Sequence, residues 1–244
     1  MSSFEVANLP PVTARRASGS LAFVGGAEWQ DGCREFDAEL LAASGADEVV
    51  VLPTAAAFEH ADRVGQRAIV YFESLGVQAK VLDVLHRGEA EDPEIAALVR
   101  TAKFVYLSDG SPLHLRSVLK DSALFESLLA VYHGGGVVAA SGAGATLLGD
   151  PMVDPRGGAY TVGLGAVHNL AVFPYHGTAA EHLRARSIDL LPASATLVGI
   201  DDQTALWLRA GTWKVVGAGQ VSVYDRDGKA ASYGAGAEVE GLPV

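Results

Sequence analysis

The sequence predicts an α/β protein built on a mainly parallel sheet with helices on both faces. Short apolar runs rich in β-branched residues alternate with helical segments through most of the chain, as in proteins of this class. A glycine run at 134–136 leads into a further apolar run, and a second cluster of small residues ends it. No internal repeat or low-complexity linker divides the chain. We therefore expect one α/β domain over 19–244, after an irregular arm over 1–18.

The predicted elements follow one another as strand and helix until that second cluster. Apolar runs predict strands at 20–24, 48–52, 77–84 and 104–107, and another from 137 onwards. Helical spacing of apolar residues predicts helices at 36–41, 64–75, 93–101, 113–119 and 123–132. This alternation places the carboxyl ends of the parallel strands at one edge, where ligands bind in such an architecture.

Beyond residue 149 the pattern changes. Glycine, proline and aspartate are frequent at 150–165, which predicts a long loop that covers a site. A strand at 169–173 and a helix at 179–191 come next. Glycine-separated short strands at 196–200, 204–209, 213–216 and 220–224 predict an antiparallel β-meander that completes one edge of the sheet.

The composition argues against several classes of partner and of binding site. A net charge of −11 argues against nucleic acid or an anionic membrane as the main partner, because basic surfaces bind both. The single cysteine, Cys33, excludes an internal disulfide and a multi-cysteine metal site, as is typical of a reducing compartment. No histidine has metal-ligand spacing to Asp or Glu, and no apolar run approaches the roughly 20 residues of a membrane helix. We expect a cytoplasmic protein that needs no cofactor or metal.

Four motifs lie at predicted strand ends. They are Ser108-Asp109-Gly110-Ser111, the segment Gly135-Gly136-Val137-Val138 before the small-residue cluster, the strand-end His176, and Gly199-Ile200-Asp201-Asp202-Gln203-Thr204-Ala205. In this order they resemble the cyanophycinase and aspartyl dipeptidase (dipeptidase E) family of serine peptidases, over about 19–225. The resemblance implies a three-layer αβα, flavodoxin-like fold, as in the class I glutamine amidotransferases. Glutamine amidotransferase activity itself is excluded, because it needs a nucleophilic cysteine after the strand.

The sharp turn at 141–143, here called the elbow, departs from the family at its most important position. The family motif is approximately Gly-Thr-Ser-Ala-Gly-Ala, and both flanks align its serine with Gly142. Glycine has no side chain that could attack a carbonyl. The alternative nucleophile is Ser141, which only a shifted elbow would expose. We expect an inactive or weakly active peptidase-like protein that keeps a small-ligand pocket; the alternative is a peptidase or amide hydrolase that uses Ser141.

The resemblance also implies an oxyanion hole, which stabilises the negative charge of the transition state. Its donors would be the N–H groups of Gly110 and Ala143. Asp109 stands where relatives have a glycine, and its carboxylate would either oppose that negative charge or point to solvent. Asp109 and Ser111 are expected to lie beside the substrate.

His176 matches the family's catalytic base. Its orienting acid would be Asp202, with Asp154 in the long loop as the alternative. Relatives of the cyanophycinase type hold a substrate carboxylate with arginines in the helix after the histidine. Here the candidates for this role are Arg184 and Arg186, which come later and could instead face solvent. Aspartyl or cyanophycin specificity therefore does not transfer. The expected partner is a small peptide or amino-acid-like ligand, and a homodimer is compatible with the sequence.

Overall fold

A computed structural model describes residues 19–154, 156–225 and 228–244. The predicted irregular arm at 1–18 lies outside these residues. The helices span Arg34–Ser44 (α1), Ala61–Ser74 (α2), Arg87–Ala90 (α3), Pro93–Arg100 (α4), Pro112–Leu119 (α5), Ala123–His133 (α6), Ala143–Leu148 (α7) and Glu181–Asp189 (α8). None of these helices is long and apolar enough to cross a membrane. The strands span Ser20–Val24 (β1), Glu48–Leu52 (β2), Gln78–Val81 (β3), Phe104–Leu107 (β4), Val137–Ser141 (β5), Gly149–Asp150 (β6), Met152–Val153 (β7), Tyr160–Thr161 (β8), Val167–His168 (β9), Leu170–Phe173 (β10), Thr196–Ile200 (β11), Thr204–Arg209 (β12), Thr212–Gly217 (β13), Gln220–Tyr224 (β14), Ala230–Gly234 (β15) and Glu238–Val239 (β16).

The central sheet has eight strands in the order β16-β13-β12-β1-β5-β4-β2-β3. Its middle is parallel, since β1 pairs with β5, β5 with β4, β4 with β2 and β2 with β3. The strands β12, β13 and β16 extend it antiparallel beyond β1. Val24 lies opposite Ser141, so the central strands β1 and β5 end side by side. The elbow therefore lies at the carboxyl edge of the sheet, where α/β proteins bind ligands.

Both faces of the central sheet are buried. Residues of β1 alternate between two apolar clusters: Leu21 and Phe23 belong to one, and Ala22 and Val24 to the other. The first cluster includes buried residues of α5, α6 and α7, and the second includes those of α1 and α2. The protein is thus a three-layer αβα structure, which confirms the predicted fold class.

The C-terminal strands are antiparallel, as predicted, but they are divided between two sheets. The hairpin of β12 and β13 lies in the central sheet. The strands β11 and β14 pair in a second sheet, whose order is β15-β14-β11-β10-β6-β9. The turn at 201–203 carries the chain from the second sheet to the central one. Glycines between short strands indicate turns, but they do not specify which sheet each strand joins.

The predicted loop at 150–165 contains a small antiparallel hairpin of β7 and β8. The hairpin packs on α7, where the N–H of Val153 donates to the hydroxyl of Thr146 at 3.1 Å. This contact brings Asp154, the residue after β7, to the cavity beside the elbow.

Candidate active site

The elbow has the backbone of a sharp strand-to-helix turn. Gly142 lies between β5 and α7, with φ +46° and ψ −101°. Its N–H donates to the carbonyl oxygen of Val24 at 2.9 Å, and its carbonyl oxygen accepts from the N–H of Thr146 at 3.1 Å. A residue with a side chain would adopt this conformation at a cost of about 1–3 kcal/mol. The structure places Gly142, and not Ser141, at the tip of the turn.

The carboxylate of Asp109 occupies the space above the tip. A Cβ atom on Gly142 would lie 2.1 Å from Asp109 Oδ1 and 2.3 Å from Tyr175 Oη, well inside contact distance. Oδ1 accepts hydrogen bonds from the N–H groups of Gly110 at 2.7 Å and Ala143 at 2.8 Å. These are the two donors that the resemblance assigns to the oxyanion hole. In this structure they bind a carboxylate of the chain itself.

Tyr175 also contacts the Asp109 carboxylate. Its hydroxyl donates to Asp109 Oδ2 at 2.5 Å. The residue follows β10 with φ +53°, and its N–H donates to the carbonyl oxygen of Gly25 at 2.7 Å. The ring fits because Gly26 has no side chain; a Cβ there would lie 2.4 Å from Cδ1 of the ring. Burial, reinforced by Asp109, raises the pKa of Tyr175, so the phenol remains a hydrogen-bond donor.

Ser141 is the last residue of β5 and is fully buried. Its hydroxyl donates to Glu28 Oε2 at 3.0 Å. Glu28 Oε1 accepts from the N–H of Asp109 at 3.4 Å and from the guanidinium of Arg67 at 3.3 Å. Burial, together with the nearby Asp109 carboxylate, raises the pKa of Glu28. The hydroxyl of Ser141 is thus bonded to a carboxyl group and not to an imidazole.

The ring of His176 packs against the second sheet. Its Nδ1 lies 3.2 Å from Asp201 Oδ1, and its Nε2 lies 2.5 Å from the hydroxyl of Tyr224 in β14. Burial lowers the pKa of His176, and Asp201 opposes this effect. The contact expected from Asp202 is made by its neighbour, because the Asp202 carboxylate accepts from the hydroxyl of Thr178 at 2.7 Å. Both ring nitrogens of His176 are thus engaged by residues outside the elbow.

The other predicted site residues fall into two groups. Ser111 and Asp154 line the cavity beside the elbow. Hydrogen bonds from Arg156 hold the pKa of Asp154 below its usual value, with Nη2 at 2.7 Å from Oδ2. Arg184 and Arg186 do not line this cavity. Arg184 donates to a backbone carbonyl oxygen at 3.4 Å, and Arg186 is exposed.

Two cavities meet beside the elbow, and Glu59, Gly110 and Tyr175 line both. The first has a volume of about 310 Å³ and mostly apolar walls. Its apolar side chains include those of Pro112, Val153, Phe173 and Leu183. The second has a volume of about 390 Å³ and a polar lining that includes Glu28, Glu59, Arg67 and Asp109. Within the described ranges, no cluster of His, Cys, Asp and Glu is arranged to hold a metal ion.

Sequence reasoning missed two residues that complete the site. Tyr175 directly precedes His176, and the histidine alone was interpreted as functional. Glu28 lies shortly after the glycine pair Gly25-Gly26 at the end of β1, and it is not among the predicted site residues. The signal for Glu28 was a carboxylate among small and apolar residues at the carboxyl end of a central strand, the position where α/β proteins place site residues.

Comparisons with known proteins agree with the motifs. The family model described as Peptidase family S51 matches residues 21–216. The cyanophycinase of Trichormus variabilis is 26% identical over 242 residues, which cover 92% of this chain and 80% of that protein. The cyanophycinase of Synechococcus elongatus is 28% identical over 201 residues, which cover 75% of this chain and 60% of that protein.

Solved structures give the same assignment. The crystal structure of a peptidase from an acI-B1 actinobacterium matches with a TM-score of 0.83 and 29% identity, covering 92% of this chain and 97% of that one. A candidate peptidase E of Listeria monocytogenes EGD-e matches with a TM-score of 0.63 over 83% of this chain and 98% of that one; at 18% identity it supports the fold alone. The chain belongs to peptidase family S51 and is a serine-type peptidase-like protein.

Proposed function

We propose that this chain binds a small peptide or amino-acid-like ligand and does not hydrolyse it through the elbow. One observation carries the proposal: the tip of the elbow is Gly142, and the Asp109 carboxylate fills the space of a nucleophilic side chain. Acyl transfer in this family class needs a hydroxyl at the tip, free oxyanion donors and a base in reach. At the tip of this elbow there is no hydroxyl, the donors bind Asp109, and His176 is bonded to Tyr224.

The first cavity supports the ligand-binding part of the proposal. Its volume of about 310 Å³ lies at the lower end of small-molecule sites, which suits an amino acid derivative or a dipeptide. Phe173, Leu183 and Val153 offer an apolar wall for a side chain. Ser111 and Asp154 line the same cavity and offer a hydroxyl and a carboxylate for an amide or an amino group.

Hydrolysis through Ser141 is the second candidate, and one contact favours it. The hydroxyl of Ser141 donates to Glu28 Oε2 at 3.0 Å, which is a hydroxyl bonded to a potential general base. However, Ser141 has no exposed surface, and its N–H and carbonyl belong to the central strand β5. A substrate carbonyl would have to enter the sheet edge to reach it, so the binding proposal is favoured.

A fluorophosphonate labelling experiment separates the two candidates. We expect no covalent labelling of the native protein over hours, because the only described hydroxyl in the elbow is the buried one of Ser141. The measurement is intact-protein mass spectrometry, with Ser141→Ala as the matched control. Labelling of the native protein that disappears in Ser141→Ala would establish the hydrolase candidate and remove the proposed function.

A thermal-shift screen tests ligand binding directly. A dipeptide at about 100 times its Kd is expected to stabilise the protein by about 2.7 kcal/mol, which is roughly 5–10 °C for a chain of this size. Ala179→Phe should fill part of the first cavity and abolish the shift, whereas Val70→Phe, on the exposed face of α2, should leave it unchanged. A shift that survives Ala179→Phe would place the ligand outside this cavity.

A further inference from the structure

We propose that the N–H groups of Gly110 and Ala143 and the hydroxyl of Tyr175 form a carboxylate-binding site that Asp109 occupies at rest and a ligand carboxylate takes over. The inference deepens the proposed function, on which it rests, by naming the ligand group and the device that controls access to it. The site is an autoinhibited one, since its first occupant belongs to the chain.

Three donors converge on one carboxylate. Gly110 and Ala143 donate to Oδ1 at 2.7 and 2.8 Å, and Tyr175 donates to Oδ2 at 2.5 Å. Hydrogen bonds to an ionised carboxylate are the strong class of such bonds. Two of the donors belong to the backbone, and the third is fixed by the positive φ of Tyr175 and its bond to Gly25. The donors therefore keep their places when the carboxylate leaves.

The two cavities give both carboxylates room for the exchange. Gly110, Ala143 and Tyr175 line the first cavity, so a ligand there can approach all three donors. Asp109 lines the second, polar cavity, into which its side chain can turn. Arg67 lies in that second cavity, where it pairs with Glu28 at 3.3 Å; its side chain is more than half exposed, and it can also pair with the displaced carboxylate.

An internal occupant lowers the apparent affinity for any external carboxylate. The binding-competent state is the fraction of molecules in which Asp109 has turned away, and the apparent Kd rises as that fraction falls. Removing the Asp109 carboxylate should therefore improve carboxylate binding, and Asp109→Asn separates the loss of this occupant from the loss of its negative charge. A residue with a merely structural role would not have this effect.

The test is calorimetric titration with acetate, compared with its neutral isostere acetamide at constant ionic strength. Asp109→Ala is expected to bind acetate about 10-fold more tightly than the native protein and to show no gain for acetamide. Adding Tyr175→Phe to Asp109→Ala should weaken acetate binding again, because one donor is lost. Asp109→Asn is the matched control: its carbonyl oxygen can still accept from both N–H groups, although less strongly than a carboxylate, so its gain in acetate affinity should be smaller than that of Asp109→Ala.

Two results would overturn the proposal. One is equal or undetectable acetate binding by the native protein and Asp109→Ala; the other is an equal gain for acetamide. If Asp109→Ala does not fold, Asp109→Ser is titrated with the same expectation. The outcome is independent of the labelling experiment above, because acetate binding needs no nucleophile. Labelling of the native protein together with acetate-selective binding by Asp109→Ala would refute the proposed function and retain the carboxylate site.

Discussion

Gly142→Ser alone is expected to lower the melting temperature of the protein by about 10 °C. A fluorophosphonate should not label this variant. The new Cβ would lie 2.1 Å from Asp109 Oδ1 and 2.3 Å from Tyr175 Oη, so the Asp109 contact must break. The positive φ at the tip adds about 1–3 kcal/mol of strain. Together these effects amount to roughly 3–4 kcal/mol, and each kcal/mol corresponds to about 2–4 °C for a chain of this size.

Adding Asp109→Gly to Gly142→Ser is expected to recover part of that stability and to permit labelling, since the strain at the tip and the close approach to Tyr175 Oη remain. The second substitution removes the overlapping carboxylate and frees the N–H groups of Gly110 and Ala143 for the phosphonate oxygen. The base would be His176 once it leaves Tyr224, so His176→Ala in this background should abolish the labelling. Thermal unfolding and intact-protein mass spectrometry measure the two effects.

Gly45→Ser is the control for a side chain at positive φ in open space, although Gly45 has ψ +32° and Gly142 has ψ −101°. Gly45 has φ +58° at the end of α1, and a Cβ there would have no atom within 4 Å. Its substitution therefore measures the cost of a side chain at positive φ without overlap. If Gly142→Ser destabilises no more than Gly45→Ser, the Asp109 carboxylate does not hold the position described here. A stable but unlabelled double variant would instead show that His176 does not reach the tip.

The buried elements could be predicted from the sequence because their pattern carries the physical signal. The strands β1, β2 and β4 are apolar runs between polar or glycine residues, and the structure gives them the predicted bounds. The strand β15 was missed because its residues are mostly exposed and small, so it has no apolar pattern. The second sheet was missed because strand partners depend on long-range packing and not on local sequence.

The candidate site shows a similar limit. A count along the elbow aligns Gly142 with the family's serine, and this alignment stays a prediction. The position of the Asp109 carboxylate could not be obtained this way. Charge alone predicted that Asp109 would oppose an oxyanion; in the structure it takes the oxyanion's place on Gly110 and Ala143. Which way a side chain turns is decided by partners distant in sequence, here Tyr175.

A second large effect is expected outside the elbow, at Asp37 in α1. This aspartate has no exposed surface in the central core. The hydroxyl of Tyr71 donates to its Oδ2 at 2.8 Å, and Oδ1 has no hydrogen-bond partner among the described residues. Burial raises the pKa of Asp37 from 3.8 to about 7, although the Tyr71 hydrogen bond opposes this. The folded protein therefore keeps this carboxyl protonated where the unfolded chain ionises it.

The sign of the pH effect follows from the two pKa values. Between about pH 4 and pH 7 the folded state binds more protons at Asp37 than the unfolded state, so stability falls as pH rises through that window. Above pH 7 this loss of folding stability is complete and amounts to about 4 kcal/mol. Asp37→Asn keeps an acceptor for Tyr71 and cannot ionise. We expect the free energy of unfolding of this variant, relative to that of the native protein, to rise by about 3 kcal/mol from pH 5 to pH 8.

Urea unfolding at these two pH values measures the effect as a difference between native protein and variant. The difference is needed because burial lowers the pKa of His176, which makes its contribution to stability rise with pH. His176 is present in both proteins, so this contribution cancels in the difference. Asp62→Asn, on the exposed start of α2, is the matched control and should change stability equally at both pH values. If Asp37→Asn also changes stability equally at pH 5 and pH 8, Asp37 is ionised in the folded protein throughout, and its unpaired Oδ1 must then be solvated by internal water.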